Sequence, residues 1–190
     1  MSGRLVYVVG PSGAGKDSVL DYARVRLPAR SGIIFARRFI TREPGSGGEQ
    51  HIPLSVSAFE RLLENRQFAL HWDANGLRYG IGREIGIWMN LGLHVVVNGS
   101  REHLPTALEQ FHDAFVVCIT APVEVIRQRL SQRKRENDAE IENRIRRSTA
   151  LTLPSGQQVT TIVNDGALET AGDALLRALS SVGSRTRMPA

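Results

Sequence analysis

Short apolar runs alternate along the chain with segments whose apolar residues recur at helical spacing, a pattern typical of α/β proteins. Five runs predict buried strands: Leu5–Val9, Ile33–Ala36, Leu93–Val97, Phe115–Ile119 and Thr160–Val163. The segments after Gly15, from about Arg101 to Phe111, after Pro122 and from about Leu168 to Leu179 predict the connecting helices. Strands that alternate with helices predict a mostly parallel sheet with helices on both faces, and 190 residues suit one such domain.

The stretch between the second and third strands departs from this alternation and predicts a small β-rich insertion. Ser57-Ala58-Phe59-Glu60 has the form of a capping box and predicts a short helix that ends near Asn65. Asn75-Gly76 is a typical hairpin turn, and it lies among aromatic residues. A modest helix is expected from Gly80 to Leu91, with Gly92 at its C-terminus.

A glycine-rich loop between the first strand and the first helix carries the strongest chemical signal. Gly10, Gly15 and Lys16 match the Gly-x4-Gly-Lys pattern of a phosphate-binding P-loop, in the strand–loop–helix context that the motif requires. In such a loop the backbone N–H groups and the helix N-terminus face phosphate oxygens, and the lysine reaches the β- and γ-phosphates. The predicted ATP-binding residues are Gly10, Pro11, Ser12, Gly13, Ala14, Gly15, Lys16, Asp17 and Ser18, and Lys16 is also a predicted catalytic residue.

The residue after this lysine departs from the motif. A P-loop usually has Ser or Thr there, whose hydroxyl binds Mg2+, whereas this chain has Asp17 followed by Ser18. A carboxylate is also a hard oxygen ligand, so Asp17 is expected to hold Mg2+ directly or through a water molecule. Its negative charge beside a polyphosphate is unfavourable, which argues against a generic member of the class.

The basic residues are mostly arginines and favour small anionic ligands. The chain has 24 Lys and Arg residues against 19 Asp and Glu residues, a net charge of +5. Arg37, Arg38 and Arg42 follow the second predicted strand and indicate a site for a second anion, with a solvated basic loop as the alternative. No nucleic-acid-binding pattern accompanies them, so no nucleic-acid partner is expected.

Two further regions are candidates for the site. The third strand ends at Asn98-Gly99-Ser100-Arg101, and the carboxyl ends of parallel strands face the ligand crevice. Asn98, Ser100 and Arg101 are therefore predicted substrate contacts, with a plain turn as the alternative. The arginine-rich segment 128–146 predicts a mobile helical lid, with a charged helix surface as the alternative.

Cysteine usage and hydropathy indicate the cellular compartment of the protein. The one cysteine, Cys118, lies in an apolar run and is expected to be a buried, inert thiol. No stretch approaches 18 consecutive apolar residues, so no membrane span is expected. A cytoplasmic protein is the resulting expectation. A monomer or a homodimer is expected, and the sequence does not decide between them.

The P-loop, the insertion, the arginine-rich segment and the late Val163-Asn164-Asp165 together resemble the guanylate kinase superfamily, over about the whole chain up to Leu179. The resemblance implies a P-loop kinase that uses ATP, with Asn164 near the adenine. It also implies that Arg133 and Arg144 are catalytic lid contacts to phosphates, and that Arg42 and Tyr79 hold the phosphate of the acceptor.

The acceptor side departs from guanylate kinases in one direction. The serine and the glutamate that read guanine are replaced by Arg38 and Leu70, and the second arginine of the acceptor motif is replaced by Gly45. The family's Asp-x-Asp becomes Asn98-Gly99-Ser100. Loss of carboxylates and gain of an arginine favour an acceptor with more phosphate and no base.

In this pattern the chain resembles the guanylate-kinase-like ribose 1,5-bisphosphate phosphokinases of phosphonate breakdown. That resemblance implies that ATP phosphorylates ribose 1,5-bisphosphate, a small phosphorylated sugar, to give 5-phosphoribosyl 1-diphosphate. The alternatives are a nucleoside monophosphate kinase with relaxed base preference and a non-catalytic guanylate-kinase-like module that binds phosphorylated peptides. The intact Gly10, Gly15 and Lys16 argue against the module, because a scaffold has no need of an ATP cradle.

The expected organisation is one P-loop kinase domain with three layers, a parallel sheet between helices. Its core comprises residues 1–36, 92–127 and 152–180, and an acceptor-binding insertion covers about 37–80. The lid covers about 128–146, and residues 181–190 are expected to be a frayed tail.

Overall fold

The computed structural model of the chain describes residues 2–43, 50–132, 142, 145–146 and 159–184. The predicted lid residues Arg133 and Arg144, Gly45 of the acceptor motif and the tail residues 185–190 lie outside the described residues. In chain order the elements are β1 (Leu5–Val9), α1 (Lys16–Arg26), β2 (Ile33–Phe35), β3 (Phe39–Ile40), β4 (Ile52–Pro53), α2 (Val56–Glu64), β5 (Phe68–Ala74), β6 (Leu77–Gly82), α3 (Glu84–Asn90), β7 (His94–Asn98), α4 (Leu104–Gln110), β8 (Phe115–Thr120), α5 (Val123–Gln132), β9 (Val159–Val163) and α6 (Leu168–Ser184).

A five-stranded parallel sheet in the order β2-β7-β1-β8-β9 forms the centre of the molecule. All five residues of β1 are buried, and alternate side chains point to opposite faces of the sheet. Val6 and Val8 belong to the apolar cluster formed with α1 and α6. Leu5 and Tyr7 belong to the cluster on the other face, formed with α3 and α4. The predicted parallel sheet between two helical layers is confirmed.

A second sheet of four short strands, in the order β4-β3-β6-β5, is built from the segment between β2 and α3. Strands β5 and β6 form the predicted hairpin at Asn75-Gly76, where φ is 51° and 72°, as a tight hairpin turn requires. The Phe68 ring lies 4.6 Å from Phe59 of α2 and 5.6 Å from Phe39, measured between ring centroids. These aromatic contacts pack α2 against the second sheet.

The helix expected from Gly80 to Leu91 is wrong in its first turn. Strand β6 continues through Gly82, and α3 begins only at Glu84. Gly80 pairs with Phe39 on one side and with His71 on the other, so it lies in the middle of the second sheet. A side chain there would meet the Phe68 ring, 2.5 Å from an ideal Cβ, so the packing selects glycine at a strand position.

Three other boundaries differ from the sequence expectation. The cap of α2 is Ser55 rather than Ser57, because the Ser55 hydroxyl accepts a hydrogen bond from Ala58 N at 3.1 Å. Helix α4 begins at Leu104, since the preceding residues form a turn. Helix α6 extends to Ser184, so residues 181–184 of the expected frayed tail are helical, and Val182 is 1% exposed.

The second predicted strand is only half-buried along its length, contrary to expectation. It forms the edge of the central sheet beside β7, so one side of its backbone has no neighbouring strand. Among the helices of the described ranges, none has the length and apolar character needed to cross a lipid bilayer.

A buried histidine joins β7 to the start of β1. The backbone N–H of Arg4 donates a hydrogen bond to His94 Nδ1 at 3.0 Å, and His94 is 5% exposed. Burial lowers the pKa of His94, and the nearby Arg4 guanidinium adds to the shift. The folded protein therefore favours the neutral ring, whose unprotonated Nδ1 can accept this bond.

Stability is expected to fall as the pH drops through the normal pKa of histidine, about 6.5. Below that value the unfolded chain gains a proton on His94 that the folded chain resists. The variant His94→Asn keeps an acceptor oxygen near the position of Nδ1 and cannot titrate. Its free energy of unfolding, measured with urea between about pH 7.5 and 5.5, should fall less than that of the wild type. Equal losses in the two proteins would contradict this role of His94.

Candidate active site

The glycine-rich loop has the backbone of a phosphate cradle. Gly13 and Gly15 have φ angles of 87° and 81°, a region that favours glycine, and Gly15 caps α1. The space beside Gly15 is also closed, because an ideal Cβ there would lie 2.5 Å from Asn164 Nδ2. Asn164, just after β9, donates from that nitrogen to the carbonyl of Ala14 at 2.8 Å and is 4% exposed. Asn164 therefore fixes the shape of the loop, while its contact with adenine stays a prediction.

The Lys16 ammonium lies inside the curve of this loop. Its Nζ donates hydrogen bonds to the carbonyls of Gly10 at 2.8 Å and Pro11 at 3.2 Å. Burial lowers the pKa of Lys16 to about 8, Asp17 opposes the shift, and Arg38 and Arg101 add to it. At neutral pH the ammonium still carries its charge, in a poorly solvated position where an anion is attracted strongly.

Asp17 connects the P-loop helix to the end of β7 and to the second sheet. Asn98 Nδ2 donates to Asp17 Oδ1 at 2.7 Å, and a guanidinium nitrogen of Arg38 lies 3.9 Å from the same oxygen. The Arg38 guanidinium also lies 5.2 Å from the centroid of the Tyr79 ring, as in a cation–π contact. Four residues singled out from the sequence are thus brought together from four separate parts of the chain.

The oxygens at this junction fit a divalent cation. Asn98 Oδ1 is buried and has no hydrogen-bond partner in the described part of the chain, and it belongs to the amide that contacts Asp17. Two hard oxygen donors side by side suit Mg2+, which at nucleotide sites takes few protein ligands and is otherwise bound by phosphates and water. The described residues contain no cluster of three or more His, Cys, Asp or Glu side chains that could hold a metal ion.

A buried tyrosine shapes the turn after β7. Ser100 N donates to the Tyr7 hydroxyl at 3.1 Å, and that hydroxyl donates to Ser100 O at 3.3 Å. Gly99 allows the close wrap, because a Cβ there would lie 2.2 Å from the Tyr7 ring. Burial raises the pKa of Tyr7 to about 12. The sequence analysis missed Tyr7, although a tyrosine in a buried central strand signals a hydroxyl that needs a partner.

Arg101 completes a cationic rim beside the loop. Burial lowers the pKa of Arg101, against the opposing effect of the nearby Cys118 thiol, and Arg101 in turn affects Lys16. Cys118 is buried, as expected, and burial raises its pKa. Of the predicted substrate contacts after β7, Asn98 therefore contacts Asp17 and Arg101 lies near Lys16, whereas Ser100 contacts Tyr7.

The arginines predicted on the acceptor side form two neighbouring groups. Burial lowers the pKa of Arg38, Asp17 opposes this shift, and the nearby Arg42 adds to it. Arg37 and Arg42 lie with His51: Arg37 Nη2 donates to His51 O at 3.5 Å, and Arg42 Nη2 lies 3.4 Å from His51 Nδ1. The sequence analysis missed His51, for which no local motif gives a signal.

One arginine of α5 reaches the P-loop; it belongs to the segment predicted as a lid but was not singled out there as a site residue. Arg129 Nη1 donates to the Ala14 carbonyl at 3.4 Å, beside the bond from Asn164. Farther out, Arg127 forms an ion pair with Glu142, and Ile145 packs against apolar residues of α5. Arg129 is thus an arginine of the predicted lid segment that the described structure places at the loop.

Comparison with known proteins identifies close sequence relatives, although no family model matches the sequence. The chain is 49% identical to ribose 1,5-bisphosphate phosphokinase PhnN of Chromobacterium violaceum over 176 residues, 93% of each chain. It is 43% identical to the protein of the same name from Thiobacillus denitrificans over 185 residues, 97% of each chain.

Among solved structures, guanylate kinase from Anaplasma phagocytophilum superposes with a TM-score of 0.68 at 18% sequence identity. The match covers 95% of this chain and 86% of that one. At this identity the likeness concerns the fold, and it agrees with the parallel sheet between helices described above.

Replacement of Lys16 by alanine is expected to lower the rate of ATP turnover at least about 100-fold, because it removes the ammonium that lies inside the loop. The fold should persist, since its bonds are to carbonyls of the same loop. Steady-state rates measure the first effect, and thermal unfolding of the variant measures the second. If folded Lys16→Ala protein keeps more than about a tenth of the wild-type rate, the assignment of this loop as a catalytic P-loop is wrong.

Proposed function

This chain belongs to the ribose 1,5-bisphosphate phosphokinase (PhnN) family, and from that premise we propose that its site transfers the γ-phosphoryl group of ATP to the 1-phosphate of ribose 1,5-bisphosphate. The products are ADP and 5-phosphoribosyl 1-diphosphate. The reaction takes place in the cytoplasm, where ATP is available. The observation that carries the proposal is the position of Arg38, between Asp17 of the P-loop helix and Tyr79 of the second sheet.

Arg38 and Leu70 together favour a phosphorylated sugar over a nucleotide as acceptor. A pocket that reads guanine needs a carboxylate to accept hydrogen bonds from the base, and Leu70, at that position by resemblance, is apolar and 2% exposed. Arg38 instead adds a guanidinium, whose geometry suits phosphate oxygens. The alternative function of a nucleoside monophosphate kinase lacks this support. The alternative of a non-catalytic binding module does not account for the buried Lys16 ammonium.

Each group in the proposed mechanism holds or neutralises a phosphate. The P-loop amides and Lys16 bind the phosphates of ATP, and Arg38 and Arg101 face the transferred group from the other side. Asp17 and Asn98 would hold Mg2+, which offsets negative charge on the phosphates when bound. The attacking oxygen belongs to a phosphate that is already ionised at neutral pH, so alignment and charge neutralisation suffice without a general base.

The acceptor is held by the remaining cations of the second sheet. We assign Arg42 and Tyr79 to the receiving phosphate, as the resemblance implies. Because Arg38 lies close to Asp17, we assign it to the neighbourhood of the transferred phosphoryl group. The 5-phosphate of the acceptor, which is remote from the transfer, is assigned to Arg37. Arg129 supports the nucleotide side through the Ala14 carbonyl. Closure of the arginine-rich lid, with Arg133 and Arg144, would exclude water and limit ATP hydrolysis.

The variant Arg38→Ser is expected to lower kcat/KM for ribose 1,5-bisphosphate by about 10- to 100-fold, the effect of losing one charge-assisted contact of roughly 1.5–3 kcal/mol. The KM for ATP should change little. Arg61→Ser, at an exposed arginine of α2 in the same insertion, is the matched control and should behave like the wild type.

The same assay run with a panel of acceptors tests the proposed function itself. Wild-type protein should consume ATP with ribose 1,5-bisphosphate and only marginally with GMP, and Leu70→Glu together with Arg38→Ser should improve use of GMP slightly. If wild-type protein phosphorylates GMP as fast as the sugar bisphosphate, the proposed function is wrong and that of a nucleoside monophosphate kinase replaces it.

Asp17→Ala is expected to raise the Mg2+ concentration for half-maximal rate more than it raises the KM for ATP, because it removes a proposed ligand of the metal. Asp17→Ser, which restores the common motif, should retain part of the activity. Asp21→Ala, on the same helix, is the control. Calorimetric titration of ATP at several Mg2+ concentrations gives a readout independent of turnover. An unchanged Mg2+ dependence in Asp17→Ala would remove this residue from the metal site.

A further inference from the structure

His51 is a buried polar side chain to which the proposed mechanism has so far given no role. It is 8% exposed and immediately precedes β4. Strand β4 runs parallel to β3, with Ile52 beside Phe39, and Ile52 N donates to Arg38 O at 2.8 Å. Because β3 is preceded by Arg37 and followed by Arg42, this register brings His51 to the two arginines assigned to the acceptor.

Both ring nitrogens of His51 contact the same residue. Nδ1 lies 3.4 Å from Arg42 Nη2, and Nε2 lies 3.3 Å from the Arg42 carbonyl oxygen. A carbonyl oxygen only accepts hydrogen bonds, so Nε2 must carry the hydrogen. A guanidinium only donates, so Nδ1 must be unprotonated. The neutral ring with hydrogen on Nε2 is the form that satisfies both contacts at once.

This pair of bonds ties the Arg42 side chain to its own backbone. An arginine has many rotamers, and a ligand that binds it must otherwise select one of them at an entropic cost. Arg42 Nε is buried and has no hydrogen-bond partner in the ranges that the structure describes, so one donor of the held guanidinium is left for another group. The contacts with His51 therefore preorganise the Arg42 guanidinium to bind an anion.

We propose that His51 is a positioning residue, which holds Arg42 in the orientation that binds the receiving phosphate of the acceptor. The inference rests on the proposed function in that it assigns Arg42 to the acceptor. Arg37 strengthens the arrangement from the other side, because it donates to the His51 carbonyl. His51 acts on acceptor binding through Arg42, and it acts on neither the nucleotide nor the P-loop.

The test is a double-variant cycle that joins His51→Leu and Arg42→Ala. Binding of ribose 1,5-bisphosphate is measured by calorimetry in the presence of a non-hydrolysable ATP analogue, and KM values for both substrates are measured alongside. His51→Leu should weaken acceptor binding about tenfold and leave ATP binding unchanged. The double variant should bind the acceptor no more weakly than Arg42→Ala alone, because His51 works through the missing guanidinium.

Two further variants separate positioning from a structural role. His51→Asn retains an acceptor for the Arg42 guanidinium and should recover part of the lost affinity; it also replaces His51→Leu in the cycle if the leucine variant does not fold. His71→Leu, at an exposed histidine of β5 in the same sheet, should bind the acceptor like the wild type.

Additive losses in the double variant would overturn the proposal, because His51 would then contact the acceptor itself or act elsewhere. Unchanged acceptor binding in His51→Leu would overturn it as well, and so would equal losses for acceptor and ATP. If the wild type prefers another phosphorylated acceptor in the panel, the proposed function fails by itself. The cycle run with that acceptor then decides the role of His51 separately.

Discussion

One carboxylate oxygen, Oδ1 of Asp17, is the point at which the P-loop helix, the end of β7 and the second sheet meet. It accepts a hydrogen bond from Asn98 at the end of β7 and faces the Arg38 guanidinium beside the second sheet. A serine hydroxyl, usual at this position, could not provide the same attraction for a guanidinium. The two departures of the sequence, an aspartate in the P-loop motif and an arginine in the predicted acceptor pocket, therefore compensate each other electrostatically.

The charge that surrounds this oxygen explains the character of the pocket. Lys16, Arg38 and Arg101 are close enough that the two arginines lower the pKa of the lysine beyond the effect of its burial. Cations crowded in poorly solvated positions repel one another, and a bound polyphosphate relieves that repulsion. A site of this kind favours highly charged ligands on both sides, in agreement with an ATP donor and a bisphosphate acceptor.

The sequence was sufficient to predict features that depend on local pattern. The central strands, the P-loop and the Asn75-Gly76 hairpin follow from hydropathy, motif and turn chemistry within a few residues. Residues 80–82 were wrongly expected in a helix because glycines weaken the sequence pattern of a strand. At Gly80 the Phe68 ring occupies the space that a side chain would fill. By resemblance to guanylate kinases, Leu70 indicated the loss of a guanine-reading carboxylate, and Arg38 indicated the gain of a cation.

Other parts of the site could not be predicted because they depend on register between distant segments. The bond of Ser100 to Tyr7 follows from the parallel pairing of β1 with β7, and the contacts of His51 follow from the pairing of β3 with β4. No spacing within the chain reports which residue of one strand lies beside which residue of another. Asn164 was singled out by resemblance, but its bond to the Ala14 carbonyl required the assembled sheet.

That last bond joins residues 150 positions apart, and it has a consequence for how the protein is made. The P-loop leaves the ribosome early, whereas Asn164 and α6, which packs on α1 through Tyr22 and Asp173, emerge only near the end of the described chain. Until then the nascent polypeptide has the motif but lacks Asn164 and the apolar residues that α6 contributes to the cluster on α1. The loop can therefore reach the conformation described here only late in translation, once β9 and α6 have been synthesised.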